Sequence, residues 1–258
     1  MVNNLFNYNN KIKEKLYQGQ VSFGAFLLSA NSFIAESLAN QRLDWLLIDM
    51  EASHASKEDL IHILQALNGY EISPLVRVSD RNKHNVDYSL DFGAKGILFP
   101  KIDTINQADE MSLSCFYPPK GTRGVNPIRT SGYYTKPTRY YSSINDALLV
   151  SVQIESRESV ENVFDIAQSE HVDVLFLGLG DLAASYGQIG NVNGELMEDA
   201  RKRVLRACKK YDKIPGIFAH SNDVAKQYVK EGFLFIGIGN DIKFMNEGLK
   251  DCLKRICE

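Results

Sequence analysis

LLVSVQIES (148–156) and, after a helical run, VDVLFLGLGD (172–181) decide the fold of this chain. Both are apolar runs of strand length, and each is followed by a carboxylate, Glu155 after the first and Asp181 after the second. Parallel strands joined by a helix lie side by side when nothing is inserted between them. The two carboxylates then share one end of the sheet, at a neighbouring-strand spacing of about 5 Å. Hard oxygen ligands at that spacing, with room for water, suit a Mg2+-type ion. Gln153 stands two residues before Glu155 and points to the same strand face. The competing use of the two acids is to cap the helices that follow them.

The same strand-then-helix rhythm extends outward. Strands are expected at 21–28, 43–50, 73–78, 96–100, 148–155, 172–178, 214–219 and 233–239. Helices fall at 11–17, 32–40 with Ser32 as N-cap, 56–69 with a Ser56/Asp59 capping box, 82–93, 104–113, 158–168, 195–211, 222–232 and 241–256. Eight apolar strands alternating with helices in 258 residues predict a (β/α)8 TIM barrel, with a doubly wound sheet as competitor. A barrel collects its chemistry at the C-terminal ends of the strands. The polar residues that interrupt the apolar runs fall there: Asp49 and Glu51, Arg77, Gln153 and Glu155, Asp181.

Arg77 closes an otherwise apolar strand. An arginine there needs an anion, either a substrate carboxylate or an internal partner in Asp49 or Glu51. GLGDLA (178–183) resembles a degenerate dinucleotide fingerprint, but no acid closes the next strand, IPGIFA. Its small residues, Gly180 among them, suit free amides at a helix start facing a substrate carboxylate. Of the histidines, His54 lies just past Asp49 and Glu51, where a general base would sit. His62 and His171 read as structural, and the five histidines form no metal-ligand pattern. The stretch 117–143 breaks the rhythm: it holds most of the prolines, no acid before Ser143, and the basic residues Lys120, Arg123, Arg129, Lys136 and Arg139. It is expected as a structureless active-site insertion or lid rather than a nucleic-acid surface.

A net charge of -3 gives no global case for nucleic acid, no apolar run reaches the roughly 20 residues of a membrane span, and the N-terminus lacks the order of a signal peptide. Cys115, Cys208, Cys252 and Cys257 show no paired metal spacing, so reduced thiols and a cytoplasmic location are expected.

DWLLIDME, PLVRVS, LDFGAKGILFP, YPPKGTRG, VQIESRE, GLGDLA and PGIFAHSNDVAKQYVKEGFLFIGIGND, in this order, resemble the HpcH/HpaI family of class II pyruvate aldolases from about Lys11 to the C-terminus. The resemblance implies one barrel domain over 1–258, often hexameric, with the last helix exchanged between subunits. It implies a divalent metal on Glu155 and Asp181, Mg2+ by preference with Mn2+ or Co2+ as alternatives, and Gln153 in support. Arg77 would hold a 2-oxo acid, pyruvate or oxaloacetate, and stabilise its enolate. Asp91 matches an acid that reaches a neighbouring subunit's site.

One departure stands out. The family pattern Asp-x-Glu-His is Asp49-Met50-Glu51-Ala52 here, so alanine stands where the base histidine belongs. Aldol cleavage must deprotonate a hydroxyl, which leaves three outcomes. His54 reaches in; or only base-free chemistry survives, such as loss of CO2 from oxaloacetate; or the site presents a 2-oxo acid to another nucleophile. The last resembles the citrate synthases of siderophore pathways, which join acetyl-CoA to oxaloacetate, and CoA phosphates would then meet the basic stretch 120–139. The expectation is an aldolase-type lyase, with citrate-forming condensation as the alternative and a non-catalytic 2-oxo-acid-binding relic as the second.

Overall fold

In the computed structural model, which describes residues 8–257, eight parallel strands pair in sequence order and close on themselves. They are β1 (Ser22–Leu27), β2 (Trp45–Asp49), β3 (Ser73–Arg77), β4 (Gly96–Phe99), β5 (Leu149–Ile154), β6 (Val174–Leu177), β7 (Ile214–Phe218) and β8 (Phe235–Asn240), with β8 returning to β1. The helices are α1 (Lys11–Tyr17), α2 (Ser32–Ala39), α3 (Lys57–Ala66), α4 (Lys83–Asp91), α5 (Ile105–Leu113), α6 (Pro137–Ala147), α7 (Arg157–Glu161), α8 (Val163–Ile166), α9 (Leu179–Ser185), α10 (Glu195–Tyr211), α11 (Asn222–Glu231) and α12 (Asp241–Cys257). This is a (β/α)8 TIM barrel. The leading residues 1–7 of the polar lead-in lie outside the described residues.

Period-2 alternation sorts the strand residues into two cores. Phe26, Trp45, Leu47, Leu75, Leu98, Leu149, Val174, Phe176, Ile214 and Phe235 fill the barrel; their alternates, such as Ile48, Val76, Ile97, Val152 and Leu175, pack outward against the helices. Trp45 stacks on Phe235 at 4.3 Å and fits only because residue 24 is glycine, where a Cβ would stand 1.9 Å from the indole. Ile12 and Leu16 of α1 join the inner core, while Lys13 and Lys15 pair with Asp173 and Asp44, just ahead of β6 and β2. So α1 plugs the N-terminal end of the barrel, and the C-terminal end stays open.

The structure corrects the local expectations in four places. The N-cap of α2 is Asn31, whose side chain accepts from the amides of Phe33 and Ile34, rather than Ser32. The helix expected over 158–168 is two short ones, broken at Asn162, whose side chain donates instead to the Asp103 carbonyl at 2.9 Å. A helix, α9, starts directly after β6.

The fourth correction is the stretch 117–143, which is packed rather than structureless. Its second part enters α6, and Arg123, Arg129 and Tyr140 are buried. Arg123 pairs with Asp91 at 2.6 Å, donates to the Tyr140 hydroxyl at 3.1 Å and lies 4.4 Å over the Tyr117 ring. Arg129 donates to the carbonyls of Phe92 and Leu64, and a Cβ at Gly93 would stand 2.6 Å from its guanidinium. Gly93 also has φ +116, so both its backbone and its bare face are used. The stretch is a strap bolted to α3 and α4 by two arginines. No helix of the described residues is long and apolar enough to cross a membrane. All four cysteines are free thiols, Cys115 and Cys208 buried, Cys252 and Cys257 exposed.

Candidate functional site

At the open end of the barrel, Phe26, Leu28, Asp49, Ala52, Arg77, Gln153, Phe176, Gly178, Gly180, Asp181, Phe218, His220 and Asn240 are among the residues lining a cavity of about 230 Å3. Its floor is the top of the inner core: Phe26 and Phe218 meet edge to face at 5.3 Å. The polar groups arrive because the inward row of each strand ends in one. Leu47 is followed on its row by Asp49, Leu75 by Arg77, and Leu149 by Ser151, Gln153 and Glu155.

Arg77 and Asp49 stand opposite each other in the β2–β3 register. The guanidinium grips Asp49 with two N–H groups, Nε to Oδ1 at 3.0 Å and Nη2 to Oδ2. Nη1 lies 3.0 Å from Glu51 Oε2 and 3.5 Å from Gln153 Oε1, and the group sits 5.6 Å over the Phe26 ring. Burial opposes its charge, but Asp49, Glu51 and Glu155 outweigh that and hold its pKa above the ordinary value. The internal salt bridge therefore exists with both acids. Asp49 is fully buried and also accepts from the amides of Glu51 and Ala52 at 3.0 and 3.1 Å, so it fixes the arginine and the turn after β2. Glu51 bridges Arg77 and the exposed Lys101 ammonium, 3.4 Å away.

Glu155 is buried and does not itself line the cavity, but it stands beside Gly178, which does. One oxygen, Oε1, accepts the Lys101 amide at 2.8 Å; Lys101 takes φ +55, rare outside glycine, to deliver that N–H. The other, Oε2, is buried with no partner. Burial, and then the neighbouring charges of Asp181 and Glu51, push its pKa up to about 7 against the help of Lys101 and Arg77. Glu155 does not cap α7: Ser156 does, in a capping box with Ser159. Asp181 does not cap α9 either. It is exposed in the first turn beside Gly180, behind Gly178 at the N-cap. Gly178 leaves the space beside Glu155 clear, since a Cβ there would stand 2.9 Å from Gln153 Nε2 and 3.0 Å from Glu155 Oε2.

These donors fit a divalent cation of the Mg2+ kind. A buried, unpaired carboxylate oxygen stands beside the bare backbone of Gly178, and the exposed Asp181 carboxylate lines the cavity and its charge acts on Glu155. Mg2+ characteristically takes one or two carboxylates and keeps waters or substrate oxygens on its remaining sites. The described residues hold no cluster of three or more His, Cys, Asp or Glu placed for a metal, so protein ligands alone would leave the sphere incomplete.

The expected base lies elsewhere: His54 is exposed and does not line the cavity. Asp91, expected at a neighbouring subunit's site, does not line its own chain's cavity and pairs with Arg123 at 2.6 Å. The histidine that does line the cavity is His220, past the end of β7. Its sequence signal was available: Ile214, Gly216, Phe218 and His220 form one period-2 row, of which Ile214 faces the inner core and Phe218 packs against it. No residue of 117–143 lines the cavity.

The profile of the HpcH/HpaI aldolase/citrate lyase family matches residues 22–247. A 2-keto-3-deoxy-L-rhamnonate aldolase from Shigella boydii serotype 4 (strain Sb227) is 33% identical over 241 residues, 93% of this chain and 90% of the relative. Among solved structures, an HpcH/HpaI aldolase/citrate lyase family protein from Burkholderia cenocepacia J2315 superimposes with TM-score 0.93 at 32% identity, covering 97% of this chain and 100% of the other. The citrate synthase SbnG gives TM-score 0.85 at 23% identity over 94% of this chain and 96% of its own, a likeness of fold.

Proposed function

The chain belongs to the HpcH/HpaI aldolase/citrate lyase family, and from that premise we propose that it is a carbon–carbon lyase of aldolase type that releases pyruvate from a 2-oxo acid. The observation that carries this reading is Glu155 Oε2, a buried carboxylate oxygen without a partner at the same barrel end as an arginine immobilised by two acids. Glu155 and Asp181 would hold a divalent cation, which supplies a positive charge to the 2-oxo group and its enolate. Arg77 is oriented by Asp49 and Glu51, so its fork is placed before substrate arrives and adds a second positive charge where the enolate oxygen develops. Gln153 offers an amide beside it, and the aromatic floor of Phe26, Phe176 and Phe218 keeps water from beneath the reacting carbons. 2-Keto-3-deoxy-L-rhamnonate, the compound the Shigella relative is named for, is the first substrate to offer.

The second reading is condensation of oxaloacetate with acetyl-CoA. It is favoured by Ala52, which puts a methyl group on the cavity wall where a base would otherwise stand. The basic strap offers it Lys120, Lys136 and Arg139, which are exposed, but not Arg123 and Arg129, which are spent on internal partners.

Self-association belongs to the same proposal. The 17 residues of α12 bury only Asp241, which accepts from the amides of Leu28 and Ser29, while Met245, Leu249, Leu253 and Ile256 stand exposed along one side. α10, of the same length, buries six side chains. A second copy of the chain would cover the α12 stripe.

Purified protein with Mg2+ is given 2-keto-3-deoxy-L-rhamnonate, and separately oxaloacetate with and without acetyl-CoA. Pyruvate from the sugar acid is the expected result. Citrate together with free CoA would move the protein to the condensation reading, and no product from any mixture would overturn both.

A further inference from the structure

Ala52 leaves aldol cleavage without the base that the family motif supplies, yet the cavity wall carries another proton acceptor. His220 is the only histidine among the lining residues. It sits on the inward row of β7, two residues past Phe218, and its ring packs edge-on against Phe218 at 5.4 Å. Phe218 packs on Phe26, and Phe26 carries Arg77 on its face. His220 and Arg77 therefore stand at the two ends of a two-ring floor, one able to take a proton, the other able to hold an oxyanion. The backbone of His220 is pinned from α12, where Lys243 Nζ donates to its carbonyl.

Resting on the aldolase reading, we propose that His220 is the catalytic base of cleavage, taking the proton of the C4 hydroxyl of a 2-oxo-4-hydroxy acid whose 2-oxo end lies at Arg77. The hydroxyl proton passes to a neutral imidazole nitrogen. The C4 oxygen becomes the carbonyl of an aldehyde as the C3–C4 bond breaks, and its electron pair moves to C3 and onto the C2 oxygen, giving the pyruvate enolate. The imidazolium returns the proton to C3, and pyruvate leaves with the aldehyde.

The environment keeps the imidazole neutral for this step. His220 is exposed on one side, and its packed side still lowers its pKa: partial desolvation first, and then the Lys243 ammonium on α12, hold it below the ordinary 6.5. The other charged groups on the cavity wall are Asp181 on α9 and the Asp49–Arg77 pair on β2 and β3, with uncharged Asn240 from β8. The pH sign follows: the part of kcat/KM for cleavage that depends on His220 is full above that lowered pKa and falls tenfold per unit below it as the base becomes protonated, in addition to the limb set by Glu155.

The test separates base chemistry from the rest of the site. Cleavage of 2-keto-3-deoxy-L-rhamnonate needs a proton acceptor for the C–C step; loss of CO2 from oxaloacetate does not. His220→Ala, or His220→Asn if alanine does not fold, is assayed for both with Mg2+. The ratio of cleavage to decarboxylation should drop by about 100-fold or more, the span expected of a general base. Added imidazole should restore part of the cleavage rate, and the acid limb of cleavage should shrink to the limb that decarboxylation also shows, the one Glu155 sets. Equal losses in both reactions, or no change in their ratio, would overturn the assignment in favour of a packing role. Wild-type protein that decarboxylates oxaloacetate but cleaves no 2-oxo-4-hydroxy acid would overturn it too, while leaving the 2-oxo-acid site standing. Wild-type protein that does neither would remove the aldolase reading first and this one with it.

Discussion

Glu155 and Arg123 are both buried charges, and the fold treats them in opposite ways. Arg123 meets Asp91, the Tyr140 hydroxyl and the face of Tyr117; the guanidinium nitrogens that find no acceptor, Nε and Nη1, belong to a group laid on an aromatic ring. Glu155 has one oxygen on the Lys101 amide and one facing nothing, with Asp181 and Glu51 adding repulsion. A buried charge whose partners are all internal is part of the scaffold. A buried charge left half-partnered, next to a gap kept clear by a glycine, costs stability and is a place for something from outside the chain. Burial alone does not mark function, nor does an unmet atom: the unmet nitrogens of Arg123 lie between the Tyr117 and Tyr140 rings, whereas the unmet oxygen of Glu155 stands beside a gap.

Removing each side chain should break the two regions differently. Glu155→Ala should lower Mg2+-dependent pyruvate release by about 100-fold or more, the scale of losing a direct ligand when even supporting partners cost 10- to 100-fold. Its melting temperature should stay level or rise, because a poorly solvated carboxylate has gone. Arg123→Met should do the reverse. Breaking a buried pair leaves Asp91 in a low-dielectric setting at a cost of about 3–5 kcal/mol, read by denaturant unfolding. Cleavage per folded molecule should hold, since no strap residue lines the cavity. An Arg123→Met protein of normal stability, or a Glu155→Ala protein of normal activity, would erase the distinction.

The comparison extends to helices. α10 and α12 have equal length, but α10 is pinned to the barrel and α12 leaves its apolar stripe uncovered. Leu249→Glu combined with Leu253→Glu should turn an assembly into folded monomers, seen by sedimentation, with the circular dichroism of the barrel retained. A wild-type protein that already sediments as a monomer would dismiss the partner.

Much of this was legible in the sequence, and the limits have physical causes. Eight apolar runs of strand length give the barrel directly, because parallel strands covered on both faces are apolar in every position. The same logic exposed Arg77, Gln153 and Glu155, each a polar break in such a run. His220 was passed over because it stands past the end of its run, in FAHS, where only the inward row through Phe218 connects it to the interior. The strap was illegible for a different reason. Its anchors are Arg123, Arg129 and Tyr140, and hydrophobic periodicity counts arginine as solvent-facing; the arginines' partners far away in sequence are the carbonyls of Leu64 and Phe92 and the carboxylate of Asp91. The Lys101 amide that serves Glu155 carries no side-chain signal at all. Ala52 was visible as an absence, and the proposed replacement base stands just past the end of β7, more than 160 residues away.

Gly178 offers the finest test of the comparison, because apart from a small cost at the N-cap of α9 it changes only space. Its φ of -98 and ψ of 86 are open to any L residue, so Gly178→Ala brings no left-handed strain. The new methyl would stand 2.9 Å from Gln153 Nε2, 2.9 Å from Glu155 Cβ and 3.0 Å from Glu155 Oε2. The amide end of Gln153 can swing away, but Glu155 Cβ is tied to the backbone of its strand end, so the carboxylate must tilt. If the gap beside Oε2 exists for a cation, that tilt should raise the Mg2+ concentration needed for half-maximal rate by about tenfold, within the range found when groups supporting a metal ligand are disturbed. Stability should change little, because no buried pair is broken. An unchanged Mg2+ requirement together with an altered KM for the 2-oxo acid would place the gap with the substrate instead, and would make Glu155 a hydrogen-bond acceptor for that substrate rather than a ligand.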